Sequence, residues 1–278
     1  MWRISIKNMI NRSVNFIKAA LNACDQTYYS RPNAELVLPG STWTQVKNVD
    51  TDQVCTMFKG KYLDNEVARD VHFVAFRGTD GLGKDWLTNL SIIKKEVPLP
   101  IGADLSGVDK GWFNNPPRIH SGFWDAWQSL KPDVVKYFEE EDKKGTLQNS
   151  TIWIVGHSMG SATSMCCAWE LYHYQKKYGC EFRVLTCGSP RFLDFFAKNI
   201  IECLYPNGIR VCNAYDIVTF ACNINGYHCF KPLNLWSSTY WQCFINFEWV
   251  PKVSSHLMGN YLQRIDVIGS KVLEKFRF

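Results

Sequence analysis

The chain is short of the features that assign a protein at a glance. No two of its eleven cysteines form a CxxC pair, so zinc ribbons and dithiol redox centres lack a ligand set. No apolar run reaches the roughly 20 residues needed to cross a bilayer. The first residues, MWRISIKNMINRSVNFIKAALNACDQ, hold no uninterrupted apolar segment and no clear cleavage site. They do not read as a secretory leader, so the thiols are expected to be reduced and the protein intracellular. Charge of one sign is also scarce. Lys and Arg number 31 against 26 Asp and Glu, a net +5. That excess is compatible with peripheral contact at an anionic membrane or lipid-droplet surface, but it is no nucleic-acid footprint. No internal repeat and no dividing linker are visible.

What is present describes one large domain over residues 1–278. Hydrophobic residues make up 46% and charged ones 21%, the balance of a chain that can bury a deep core. The 14% of aromatics read as bulky core. Ile10, Val14, Ile17, Ala20 and Leu21 recur at helical spacing and predict an amphipathic helix over 9–23. Strand-like runs lie at 53–58, 71–76, 151–155, 182–186 and 209–212. Their nearly continuous apolar character suits a sheet covered on both faces. Helical patterns lie at 123–140, 159–178 and 192–203. Strands alternating with helices predict an α/β fold with a central, mostly parallel sheet flanked by helices. The proline-bearing stretch 97–119 reads as a long connection within the domain. Residues 222–253 are turn-rich and aromatic and give no clear element.

Residues 151–165 read TIWIVGHSMGSATSM. A G-x-S-x-G match alone is weak, but this one follows a β-rich strand and opens a helical pattern, as a nucleophile elbow does. A serine at a sharp strand-to-helix turn needs neighbours without Cβ atoms, because the backbones pack tightly there. Gly156 and Gly160 meet that need, and Ser161 and Ala162 keep the next turn small. The alternative is a tight βα turn without chemistry. A hydroxyl is a poor nucleophile until a histidine takes its proton, and a carboxylate orients that histidine. In this context the chain order is serine, acid, histidine. Asp194 sits in a helical pattern after Pro190 and suits a first-turn or solvated role. Asp266 follows both later histidines. Asp216 lies just past the strand IRVC, where the carboxyl edge of a sheet would deliver it. Its alternative is a turn or capping role. Of the later histidines, His256 stands in a polar loop before a helical pattern and is favoured as base. His228, flanked by aromatics, reads as structural, as does His120. His157 reads as a packing residue, since a neighbour on the elbow points away from Ser158. Oxyanion donors are expected from the Met159 N–H and from Thr79, which follows the strand VHFVAF.

Taken in order, VAFRGTD (74–80), HSGFWDAW (120–127), IVGHSMGSA (154–162), TCGSPR (186–191), RVCNAYDIV (210–218) and SSHLMGNY (254–261) resemble the class 3 lipase family. These are the fungal-type triacylglycerol lipases of the α/β-hydrolase fold. The resemblance runs from the N-terminal helix to Tyr261. It implies Ser158 as nucleophile, Asp216 as acid, His256 as base, and Thr79 and Met159 as oxyanion donors. It implies hydrolysis of acylglycerols through an acyl-enzyme, with a lipid or ester as substrate and no metal or organic cofactor. It also implies a helical lid over 80–95. There Trp86, Leu90 and Ile93 share a helical face with Leu87 beside them, an amphipathic pattern suited to shielding the serine in water and facing lipid when open. A core-packing helix that never moves is the alternative. The same chemistry also admits phospholipase A1-like, soluble-esterase and acyl-transfer activities, and a lipase-like binding protein without turnover is a further reading. The chain departs from the family after the acid, where IVTFACNINGYHCF (217–230) replaces a proline-rich segment, and in its many cysteines. Nothing in the sequence fixes an oligomeric state.

Overall fold

A computed structural model of the chain describes residues 6–64, 67–79, 93–109, 116–213, 216–220, 226–235 and 256–272. The expected N-terminal helix is α1 (Ile6–Gln26). Its buried residues Ile17, Ala20, Leu21 and Cys24 recur at the spacing of one helical face. Next come β1 (Thr42–Lys47), β2 (Val54–Asp64) and β3 (Val67–Phe76), an antiparallel meander. A small two-stranded sheet pairs β4 (Lys94–Glu96) with β5 (Arg118–His120). The chain continues through α2 (Ser121–Lys143), β6 (Thr151–His157), α3 (Met159–Glu170), α4 (Tyr174–Tyr178), β7 (Glu181–Cys187), α5 (Phe195–Leu204), β8 (Ile209–Asn213), β9 (Pro232–Leu235) and α6 (Met258–Val272).

The main sheet runs β1-β2-β3-β6-β7-β8-β9. From β3 onward every pairing is parallel. A parallel sheet is stable only when both faces are covered, and alternation along β6 shows how this is achieved. Ile152 and Ile154 join a core with Trp127 and Phe138 of α2 and Met165 and Trp169 of α3. Trp153 and Val155 face the other way, into a core with Ile17 and Leu21 of α1 and Tyr261 and Ile265 of α6. The result is the α/β-hydrolase arrangement expected from the sequence. Because β3, β6, β7 and β8 run parallel, their carboxyl ends lie at one edge of the sheet, and the segments after them converge there.

Several sequence expectations need correction. The predicted helix 159–178 is two helices, with a turn at 171–173 where the Tyr174 N–H bonds the Leu171 carbonyl. Leu171, Tyr174 and Tyr178 are all buried, so the apolar rhythm continues across a break that it cannot report. The helix predicted from 192 begins at Phe195. Asp194 caps it by accepting from the Ala197 N–H, while Leu193 bridges to Ile119 and Tyr227. The edge strands β1 and β9 were not expected from the sequence. Of the lid expectation, residues 80–92 lie outside the described residues, with Trp86, Leu87 and Leu90 among them. Ile93 is described and is 68% exposed; its carbonyl accepts from the Ser121 N–H at the start of α2.

All described cysteines are free thiols; seven are buried, Cys180 is partly so, and Cys203 is exposed. Among the described residues no helix is long and apolar enough to cross a membrane. No group of three or more His, Cys, Asp or Glu among them is placed to hold a metal ion.

Candidate active site

Ser158 stands between β6 and α3 with φ 58° and ψ −131°, a conformation that costs a non-glycine residue about 1–3 kcal/mol. The surrounding packing enforces it. The Ser158 N–H donates to the Cys187 carbonyl of β7. The Ser161 hydroxyl donates to the Gly156 carbonyl at 2.7 Å and accepts from the Cys187 N–H at 3.1 Å. A Cβ on Gly156 would lie 2.2 Å from the Gly160 carbonyl oxygen, and one on Gly160 would lie 2.2 Å from that of Phe76. The two glycines of the motif therefore let strand, turn and helix close on one another.

The segment after β3 packs against this turn. A Cβ on Gly78 would be 2.7 Å from the Ser158 Cβ, so the main chain leading to Thr79 lies directly against the serine. Arg77 anchors the segment: its guanidinium donates to the carbonyl and carboxylate of Asp52, both at 2.8 Å. The exposed Thr79 hydroxyl meets the Met159 thioether at 2.8 Å. Both expected oxyanion residues thus flank the serine. Met159 is also the first residue of α3, where helix geometry leaves the N–H without an intrahelical acceptor.

Asp216 and His256, far apart in sequence, meet beneath the same edge. His256 Nδ1 and Asp216 Oδ2 are 2.7 Å apart, with Asp216 fully buried and His256 2% exposed. The carboxylate accepts, so Nδ1 carries the proton and a neutral His256 presents Nε2 as an acceptor. Among the described residues that buried Nε2 has no hydrogen-bond partner, and no bond joins it to Ser158. Asp216 Oδ1 accepts from the Val218 N–H at 2.9 Å, so its turn role and its contact with histidine coexist.

Three contributors were not anticipated. The Tyr261 hydroxyl donates to Asp216 Oδ2 at 2.6 Å. Burial, with Asp216 beside it, pushes its pKa well above the usual tyrosine value, so it remains a donor. Gly188 has φ 58°, and a Cβ there would fall 2.7 Å from Asp216 Oδ2 and 2.9 Å from His256 Nδ1. The third is Tyr28, whose hydroxyl lies 2.8 Å from His157 Nδ1. Gly188 and Tyr261 sit inside the quoted stretches TCGSPR and SSHLMGNY, but only the folded geometry reveals what they touch. Tyr28 had no sequence signal.

The remaining histidines take other parts. His157 is stacked on His256 with ring centroids 4.5 Å apart. Burial, and then proximity to His256, hold its pKa well below the usual histidine range. His228 Nε2 donates to the Thr219 carbonyl at 2.9 Å. Burial, then Arg210, lowers its pKa to about 3, so it is neutral and structural. His120 caps α2, its Nδ1 accepting from the Gly122 N–H. Asp194, set aside in the sequence reading, is the α5 cap.

Comparison with known proteins identifies the family and the fold. The family model described as Lipase (class 3) matches residues 73–226. A lipase of Rhizomucor miehei is 24% identical over 206 residues, covering 69% of this chain and 52% of the relative. The chain therefore spans about half the length of that curated relative. A solved triacylglyceride lipase structure from Rhizomucor miehei superposes with a TM-score of 0.63 at 18% identity, covering 91% of this chain and 94% of the other. A triacylglycerol lipase structure, described as having a serine-protease triad as its catalytic centre, superposes with a TM-score of 0.62 at 16% identity, with the same coverage. At these identities the structural matches establish a shared fold.

Proposed function

The chain belongs to the class 3 lipase family, and from that premise we propose that it is a serine carboxyl-ester hydrolase releasing fatty acids from acylglycerols. One observation carries the reading. A buried carboxylate–imidazole pair presents an Nε2 that has no partner among the described residues, at the sheet edge where a serine is held at positive φ. Burying an acceptor without a donor is unfavourable, and a substrate-side proton would satisfy it.

In the proposed mechanism Ser158 Oγ attacks the ester carbonyl while His256 Nε2 takes its proton. Asp216 holds the imidazole orientation and stabilises the imidazolium. The oxyanion forms against the Met159 N–H and the Thr79 segment. Collapse breaks the acyl–oxygen bond, and His256 returns its proton to the departing alcohol. A water then attacks the acyl-enzyme with His256 again as base, freeing the fatty acid and restoring Ser158. The hydrogen bond between Ser158 and His256, absent here, would form as substrate closes the site, as catalytic contacts often do. No step calls on a metal or organic cofactor. Residues 1–278 act as one catalytic domain, with 80–95 as a lid over Ser158 and a lipid surface as the place of work. The thiol-rich composition fits a reducing, intracellular setting.

The triad named for a relative of the same fold supports this reading, and so do the geometry and the family. The test is labelling with a fluorophosphonate probe, followed by turnover of acyl esters of increasing chain length, beside Ser158→Ala. We expect labelling at Ser158, activity rising towards long-chain and emulsified esters, and neither in the variant. Absence of labelling would defeat the enzyme reading. Activity confined to short soluble esters would replace the lipase by an esterase.

A further inference from the structure

One hydrogen-bond chain crosses the site without entering the proposed chemistry. It starts at the Gly78 N–H, which donates to the Tyr28 hydroxyl oxygen at 3.1 Å. The Tyr28 hydroxyl lies 2.8 Å from His157 Nδ1, and His157 Nε2 lies 2.8 Å from the His256 main-chain carbonyl. The two ends fix its direction. A carbonyl oxygen only accepts, so His157 Nε2 must carry a proton. A main-chain N–H only donates, so the Tyr28 oxygen accepts from Gly78, and the tyrosine proton is available to a bare Nδ1. A proton on Nδ1 would set two donors against the one tyrosine oxygen. The arrangement that gives each of these donors its own acceptor leaves His157 neutral and protonated at Nε2.

The chain links three parts of the site that come from distant sequence. Gly78 leads into Thr79, one side of the expected oxyanion hole. His157 precedes Ser158. The His256 carbonyl belongs to the base itself, whose ring stacks on that of His157. Tyr28 reaches them from the turn after α1, where its N–H bonds the Asp25 carbonyl.

We propose that Tyr28 and His157 are positioning residues for the hydrolysis assigned above. Through this one-way chain they fix the base and the oxyanion segment relative to each other and keep a neutral ring against His256. The role rests on the hydrolase reading. It matters most when His256 becomes an imidazolium during attack, because a neutral aromatic face accommodates a cation and a protonated neighbour would repel it. The low pKa of His157 agrees with this arrangement.

Two readouts test the proposal. The first needs no substrate. In 15N-histidine-labelled protein at pH 7, long-range 1H–15N spectra should show His157 as the neutral Nε2–H tautomer, assigned by its loss in His157→Gln. An Nδ1–H tautomer or an imidazolium would overturn the chain. The second is kinetic, on a short-chain nitrophenyl ester, with rates normalised to folded protein by near-UV circular dichroism. Tyr28→Phe and His157→Leu should lower kcat by roughly tenfold to a hundredfold, the cost of slight misplacement of reacting groups, with KM within about twofold. His157→Gln, whose amide supplies both a donor and an acceptor, should recover most of the loss. The double variant Tyr28→Phe/His157→Leu should be no slower than the slower single one, as expected of residues acting as a unit. Wild-type kcat in both single variants, or a glutamine no better than leucine, would refute the positioning role. If the wild-type protein itself turned over no ester, the hydrolase reading would fall, while the tautomer would still decide the hydrogen-bond chain.

Discussion

Gly188→Ala gives the sharpest separation of site geometry from fold stability. The residue follows β7 at φ 58°, where an alanine pays about 1–2 kcal/mol of backbone strain. At roughly 2–4 °C per kcal/mol for a domain of this size, melting should fall by about 2–8 °C and the protein should remain folded at 25 °C. The added methyl meets something less forgiving than solvent. Its ideal position is 2.7 Å from Asp216 Oδ2 and 2.9 Å from both Cε1 and Nδ1 of His256. Ordinary contact begins near 3.4 Å, so the buried pair must shift by about 0.7 Å. A displacement of that order costs on the order of a hundredfold in rate. The assay is kcat on a soluble ester beside thermal melting of the same sample, with fluorophosphonate labelling of Ser158 as a second measure of nucleophile activation. The expected signature is a rate loss much larger than the unfolded fraction explains. An alanine variant with wild-type turnover would refute the reasoning, as would a rate loss that tracks unfolding alone.

Other outcomes follow from the same geometry. Tyr261→Phe removes one of two donors to Asp216 Oδ2. With that anchor gone the pair is held less firmly, so kcat should fall by roughly tenfold, and wild-type kcat would refute it. His256→Ala should lose turnover by at least roughly a thousandfold, whereas His228→Ala should keep it, because among the described residues the His228 ring bonds the Thr219 carbonyl; the reverse result would reassign the base. Glu141 offers a test of acid stability. Its burial alone would raise its pKa, but hydrogen bonds from Lys144, Lys59 and Thr146 outweigh that and hold it at about 2. A depressed carboxylate pKa contributes stability above the unfolded value and loses it as pH falls through the folded one. Melting temperature should therefore drop between about pH 4.5 and pH 2, and the drop should be shallower in Glu141→Gln. Equal slopes in the two proteins would show that other carboxylates govern the acid limb.

The parts legible in the sequence were those written in local periodicity or chain order. Continuous apolar strands announced a sheet covered on both faces, and β6 is buried at every position. The order of serine, acid and histidine, with the local context of each candidate, favoured Asp216 and His256, whose side chains meet at 2.7 Å. Edge strands were illegible because β1 is largely exposed and leaves no apolar signature. The break after α3 was illegible because its side chains stay buried through the turn. The supporting residues were hidden for another reason. Tyr28, Gly188 and Tyr261 act on atoms 45 to 129 positions away in the chain or through the space that a missing Cβ leaves open. No local pattern records such contacts. They appear only when four strand ends arrive at one edge.

The unpaired thiols give this fold an internal clock. No covalent staple joins the described cysteines, and seven of them lie inside the cores. Burial raises their pKa values, that of Cys212 to about 11 and that of Cys229 to about 12, which starves an alkylating reagent of thiolate. Cys203, on the outside of α5, has no such shelter. Its reaction marks time zero, and each later thiol reports the opening of the layer that covers it. Cys24 dates the departure of α1 from the sheet; Cys166 and Cys167 date that of α3. The order in which mass is added would then read out, without any engineered probe, which face of the sheet lets go first.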